Sequence, residues 1–355
     1  MRRFSFLMGM YWLWAGTAGA CTTAAIPQSL NKLMLKSYDW TQGHGMIVVN
    51  KRNVAKKALN FYPRAHKLAW TSKYGSVTFN QHGREFPLGG MNEKGLTLEV
   101  MWLDSSQYPD ADSRPTINEL QWIQYQLDNY ESAKEVYEHR EDLRVQPIYA
   151  KVHYLACDPT GTCATFEYVD KQMVAKIGEE MDVQSLTNDT YNDSVGFLKK
   201  HQGFGGDKPI PQSDASLDRF VRASALAKAF DENTHKPVEY AFEILNSVGA
   251  TEYSKFHIVY EIKTRQINFR TREYFRVKSV DTDKLDFRCD GTKTQMLDME
   301  TKVEGLVNDS FVAYTVDANK AVIEKSLEHV GALIPPAIVN AWIRYPETTV
   351  CQQNN

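Results

Sequence analysis

The sequence predicts an α+β fold of two antiparallel sheets with helices outside. Three observations carry that expectation. Short apolar runs bounded by turn residues fill the first third, capped helical patterns fill the middle, and alternating strands return before a last amphipathic segment. From residue 32 to 104, runs such as Met46-Ile47-Val48-Val49 and Leu96-Thr97-Leu98-Glu99-Val100 are separated by Gly43-His44-Gly45 and Gly89-Gly90. Thr116 and Glu119 have the spacing of a capping box, and Ile117, Leu120, Ile123, Leu127 and Tyr130 follow at helical spacing. Ser132 and Glu135 repeat the device for a second helix. Strands return over 149–177. Helices are predicted around 191–201, 217–230 and 237–248, the last with Val238, Phe242 and Leu245 on one face. Ile258, Tyr260 and Ile262 alternate into a turn and Ile267 and Phe269 alternate out of it, a long hairpin. Residues 318–330 form a final amphipathic helix. No linker interrupts this order, so residues 21–355 read as one domain.

The 355 residues are 43% hydrophobic and 24% charged, which excludes a disordered chain and a multi-span membrane protein. With 41 basic side chains against 44 acidic ones, there is no basic field to hold nucleic acid. The nine histidines form no ligand-like cluster and no glycine-rich phosphate loop is present, so neither a metal nor a nucleotide cofactor is implied. The expected partner is a small molecule.

The first 20 residues read as a secretory signal peptide. Arg2 and Arg3 precede an apolar stretch too short to span a bilayer, and Ala18-Gly19-Ala20 is an A-x-A cleavage site. Cleavage there makes Cys21 the first residue of an exported, periplasmic or secreted chain. A terminal cysteine joins a thiol of ordinary pKa about 8.5 to an α-amine of pKa about 7.7–8.0, a nucleophile and its base on one residue. Two other readings of Cys21 exist: the lipid-modified cysteine of a non-catalytic anchored binding protein, or a disulfide partner. Ala18 stands where a lipoprotein signal has a large aliphatic residue. Cys157 and Cys163 flank the turn Asp158-Pro159-Thr160-Gly161 and could bridge a hairpin; Cys289 and Cys351 would be a second pair. Four cysteines allow three connectivities, so this pairing is a preference that leaves Cys21 unpaired.

These residues resemble a known family. Cys21, Lys36-Ser37-Tyr38-Asp39-Trp40, Gly90-Met91-Asn92-Glu93-Lys94-Gly95-Leu96, Leu186-Thr187-Asn188 and Ser216-Leu217-Asp218-Arg219-Phe220 occur in the order of the choloylglycine hydrolase and penicillin V acylase family. The resemblance implies a four-layer αββα sandwich, the N-terminal nucleophile hydrolase fold, a homotetramer, and hydrolysis of linear amide C–N bonds. It implies Cys21 as nucleophile, Asp39 to hold the new terminus, the Asn188 amide in the oxyanion hole and Arg219 as a fixed cation. Asn188-Asp189-Thr190 is also a glycosylation sequon. Lys36 departs from the family's arginine; it keeps the charge and loses the planar fork, which implies an active site with an altered substrate range. Trp102 stands where bile salt hydrolases have asparagine and penicillin V acylases an aromatic residue, and Trp40 is similar to the Gram-negative acylases. Two indoles suit an aromatic or fatty acyl group, as in penicillin V or an N-acyl homoserine lactone, better than a bile salt.

Overall fold

A computed structural model describes residues 21–61, 65–249, 253–328 and 334–352. The predicted signal peptide lies outside them. Among the described residues no helix is long and apolar enough to cross a membrane.

Two large sheets carry the fold. In the first, β1 (Thr22–Ile26) and β2 (Leu33–Asp39) lie between Ser185–Leu186 on one side and Ser254–Glu261, Gln266–Thr271 and Lys278–Asp281 on the other. In the second, a nine-stranded antiparallel sheet, Thr97–Trp102 lies between Val152–Cys157 and Gly89–Asn92. Helices α1 (Glu119–Asn129) and α2 (Ala133–Glu138) cover the second sheet. After α3 (Tyr191–Leu198), helices α4 (Ser216–Ala229) and α5 (Pro237–Val248) cover the first. The result is the four-layer αββα sandwich. Helices α6 (Val316–Ser326) and α7 (Pro336–Arg344) pack against each other.

The alternation of side chains along a strand builds these layers. Ala24, Ile26, Leu33 and Leu35 face α4 and α5, where Phe242 and Leu245 meet them. Their neighbours Ala25, Met34 and Tyr38 face the second sheet and join its core. Each fully buried Leu or Ile contributes about 1.5–3 kcal/mol of transfer free energy. Both faces of β2 are therefore committed to burial, and a one-residue slip would exchange them. Lys36 lies on the sheet-to-sheet side, so the pattern puts an ammonium in the centre of the sandwich.

Local expectations hold with two corrections. Thr116 does not cap α1: Thr116–Ile117 is a short strand paired with Arg144–Val145. Asn118 is the cap, accepting from the amides of Leu120 and Gln121 at 3.2 and 2.9 Å. Glu119 instead accepts the amides of Ile148, Tyr149 and Ala150 at 2.8–3.0 Å. That loop has no regular partner of its own, and its three amides outcompeted the local cap. The last predicted helix, α6, begins at Val316 under the Thr315 cap, two residues before the predicted start, and Val330 lies outside the described residues. Helix α7 has no counterpart among the expected elements. Cys157 pairs with Cys163 and Cys289 with Cys351, leaving Cys21 a free, buried thiol.

Candidate active site

Three neighbours meet at the start of β1. The strand Ser185–Leu186 pairs with it, Leu186 opposite Thr23, and so delivers Asn188 beside Cys21. Helix α4 crosses β1 and brings in Arg219. The end of β2 supplies Asp39, whose carbonyl oxygen lies 3.9 Å from the Cys21 Sγ.

Arg219 joins these pieces. Its guanidinium donates to the Cys21 carbonyl (2.8 Å), the Thr22 hydroxyl (2.6 Å), Asn188 Oδ1 (2.7 Å) and the Asp214 carbonyl (2.9 Å). It does not hydrogen-bond the Asp39 carboxylate; its charge acts on Asp39 through space. With Oδ1 held by Arg219, the Asn188 amide group is turned so that Nδ2 donates to the Trp102 carbonyl at 2.9 Å. Nδ2 has a second N–H to offer. Behind Asn188, His153 bridges Glu167 and the Thr187 carbonyl, both at 2.8 Å, and fixes the preceding peptide. A glycan on Nδ2 would have to break these contacts.

Asp39 is fully buried. Its Oδ1 accepts from Ser37 at 2.7 Å and Ser254 at 2.6 Å. A register shift between Ser254 and Phe256 brings Ser254 opposite Asp39. Oδ2 has no partner among the described residues. Burial pushes the Asp39 carboxyl above its usual range, opposed by the two serines and by the charges of Arg219 and Lys36. Burial also raises the Cys21 thiol, with Lys36 pulling hardest the other way.

Lys36 donates to the Val100 carbonyl and lies 3.8 Å from Glu99, both side chains fully buried. The Tyr260 hydroxyl donates to Glu99 at 2.6 Å. Gly89 makes room: a Cβ there would be 2.4 Å from the Glu99 carboxyl. Lys36 is thus matched by a carboxylate on the opposing sheet. Burial nevertheless pushes Glu99 from 4.5 up to about 7, outweighing Lys36 and Tyr260. Between those values the folded state holds the proton that the unfolded state releases, so stability falls as pH rises from about 4.5 to about 7. Glu99→Gln is expected to flatten that fall, measured as urea midpoints across the interval.

Cys21 opens into a cavity whose lining is almost wholly apolar. Trp40 and Trp102 stand in its wall with ring centroids 5.6 Å apart, and Tyr149 packs on Trp102 at 6.1 Å. All seven side chains singled out in the sequence therefore lie at or beside one cavity. Sequence reasoning missed Ser37, Ser254, Glu99 and Tyr149. Glu99 was legible as a charge inside an apolar strand; Ser254 carried no signal. The Asn92-Glu93-Lys94-Gly95 motif lies elsewhere as a turn: Asn92 Oδ1 accepts the amides of Lys94 and Leu96, and Nδ2 holds the carbonyls of Leu127 and Tyr130 at the end of α1. Among the described residues no group of histidines, cysteines or acids could hold a metal ion.

Two antiparallel sheets between helical layers, with a free cysteine at the head of an inner strand, define the N-terminal nucleophile hydrolase fold. Residues 21–295 match the model of the linear amide C–N hydrolases, choloylglycine hydrolase family, and the chain belongs to that family. It is 31% identical over 185 residues to a penicillin V acylase of Pectobacterium atrosepticum, a match spanning 47% of this chain and about half (49%) of that relative. A penicillin V acylase structure from Agrobacterium tumefaciens superimposes with a TM-score of 0.73 at 26% identity, covering 83% of this chain and 98% of that one. A conjugated bile acid hydrolase from Clostridium perfringens shares the fold, with a TM-score of 0.64 at 20% identity over 78% of this chain and 97% of that one.

Proposed function

We propose that this chain, after cleavage between Ala20 and Cys21 during export to the periplasm or beyond, hydrolyses the amide of a small N-acyl compound. The acyl group is apolar, as in penicillin V or an N-acyl homoserine lactone. The observation that carries this reading is a free thiol, Cys21, at the wall of an apolar cavity and joined through Arg219 to Asn188. In the proposed cycle the Cys21 thiol passes its proton to the neutral α-amine as the sulfur attacks the amide carbonyl. The α-ammonium hands that proton to the leaving amine as the C–N bond breaks, which leaves an acyl-thioester on Cys21. Water then cleaves the acyl-thioester. The second N–H of Asn188 Nδ2 stabilises the oxyanion. The unpartnered Asp39 Oδ2 is the acceptor the new α-ammonium requires, because cleavage adds N–H donors next to a buried lone pair. Residues 21–355 act as one catalytic domain, and the homotetramer of the family resemblance belongs to this proposal. No resident cofactor enters the scheme.

Burial of Cys21, 5% exposed, weighs against a lipid-anchored protein, whose acylated sulfur would have to leave the core. The paired indoles weigh against bile salts, because their broad apolar ring faces suit an aromatic or fatty acyl group better than a hydroxylated steroid. The test is intact mass of the exported protein, then hydrolysis of penicillin V, a long-chain acyl homoserine lactone and glycocholate. An unmodified terminus at Cys21 with release of phenoxyacetate or fatty acid supports the reading. A diacylglyceryl mass, retention of residues 1–20, or preference for glycocholate overturns it.

Asp39 supplies a pH test. Ser254→Ala removes a hydrogen bond that holds its carboxyl down, so ionisation shifts to higher pH. The acid limb of kcat/KM is expected to move upward in pH, with kcat at the plateau retained; an unmoved limb excludes this coupling.

A further inference from the structure

The family match ends at residue 295, yet the cavity wall does not. Leu327, Ile334 and Trp342 line the same cavity as Cys21, Trp40 and Trp102. They come from the helical segment around α6 and α7, which is firmly docked. Asn319 in α6 accepts the Arg84 amide at 2.8 Å and donates to the Ile343 carbonyl at 3.3 Å. Ile323 packs so close to Gly83 that a Cβ there would be 2.7 Å from it. Trp342 lies between His82 and Phe86, with ring centroids 6.3 and 6.0 Å away. Past α7, the Tyr345 hydroxyl donates to the Lys57 carbonyl at 2.7 Å, and Val350–Cys351 adds a strand to Val54–Lys57. The Cys289–Cys351 disulfide then closes the segment back onto the main body.

We propose that this disulfide-clasped C-terminal segment is a specificity-determining wall of the acyl pocket, with Trp342, Leu327 and Ile334 bounding the apolar part of the acyl group. The inference rests on the acyl-amide reading above and adds which part of the chain selects among acyl groups. The physical argument is packing. A wall held by hydrogen bonds, an added strand and a covalent clasp cannot yield to a longer chain without losing contacts elsewhere. Of the three side chains this segment contributes, the Trp342 indole is the largest, so its truncation returns more volume to the pocket than that of Leu327 or Ile334. His82, against Trp342, is half-buried, and desolvation lowers its pKa to about 4, so it adds no charge to the apolar wall near neutral pH.

The experiment measures kcat/KM for straight-chain N-acyl homoserine lactones from four to fourteen carbons in wild type and Trp342→Ala. The optimum is expected to move to longer chains, with about a tenfold loss for the chain length wild type prefers, the usual worth of a methylene or two in a fitted pocket. A profile that falls in parallel at every chain length, or does not change, overturns the proposal. Trp342→Phe keeps an aromatic core residue and guards against misfolding; a smaller shift in the same direction is expected. Should wild type cleave none of these amides, the wall is judged by binding alone, and the functional reading itself fails only if penicillin V is not cleaved either. Affinities of free fatty acids of the same lengths for wild type and Trp342→Ala then show the same shift, or by their parallelism overturn it.

Discussion

Cys21→Ala is expected to lower kcat by on the order of 10⁴-fold or more, since without the thiol no acyl-enzyme forms and the remaining groups act on water alone. The loss should come without unfolding. Cys21 makes one weak sulfur contact, at 3.9 Å, and the Arg219 bond to this residue goes to the main-chain carbonyl, which alanine keeps. Urea midpoints within a few tenths of molar of wild type, together with absent phenoxyacetate release, are the expected pair of readings. A companion chain with one alanine inserted between Ala20 and Cys21, cleaved before the insertion, keeps the thiol and removes the free amine from it. It should be nearly as inactive. If that chain hydrolyses amides at the wild-type rate, the α-amine is not the base.

Asn188→Ala is expected to cost about 10²–10³ in kcat, the usual worth of one oxyanion donor, with KM changed far less because the contact strengthens only as the carbonyl becomes tetrahedral. Arg219 complicates this substitution. Its guanidinium would lose the Oδ1 acceptor but keep three others, the Cys21 carbonyl, the Thr22 hydroxyl and the Asp214 carbonyl. The fold should therefore hold. Asn188→Asp separates the roles: the carboxylate still accepts from Arg219 but has no N–H to donate. Equal losses in both variants assign the effect to the donor; recovery in the aspartate variant assigns it to Arg219 positioning.

Much of this site was legible before any coordinates. The signal-like leader pointed to Cys21, and the order of five short motifs pointed to Asp39, Asn188 and Arg219. Those residues were singled out by short motifs whose order resembles the family's, each read over a few neighbouring positions. The supporting residues were not. Ser254 reaches Asp39 across 215 positions through a shifted register, and Glu99 faces Lys36 only because two sheets stack. A sequence states which side chains a strand offers to each face and leaves unstated which strand of another sheet will oppose them.

The sequence by itself determined the α+β order of elements and where most of its strands and helices fall. These follow from periodicity and from local backbone preferences, which act over a few residues. Tertiary structure alone decided that Asn118 rather than Thr116 caps α1, that Glu99 answers the lysine at 36, and that α6 and α7 close the cavity beside Cys21. Each was settled by competition for burial and for hydrogen-bond partners among segments remote in sequence, and such competition is resolved only once the layers pack.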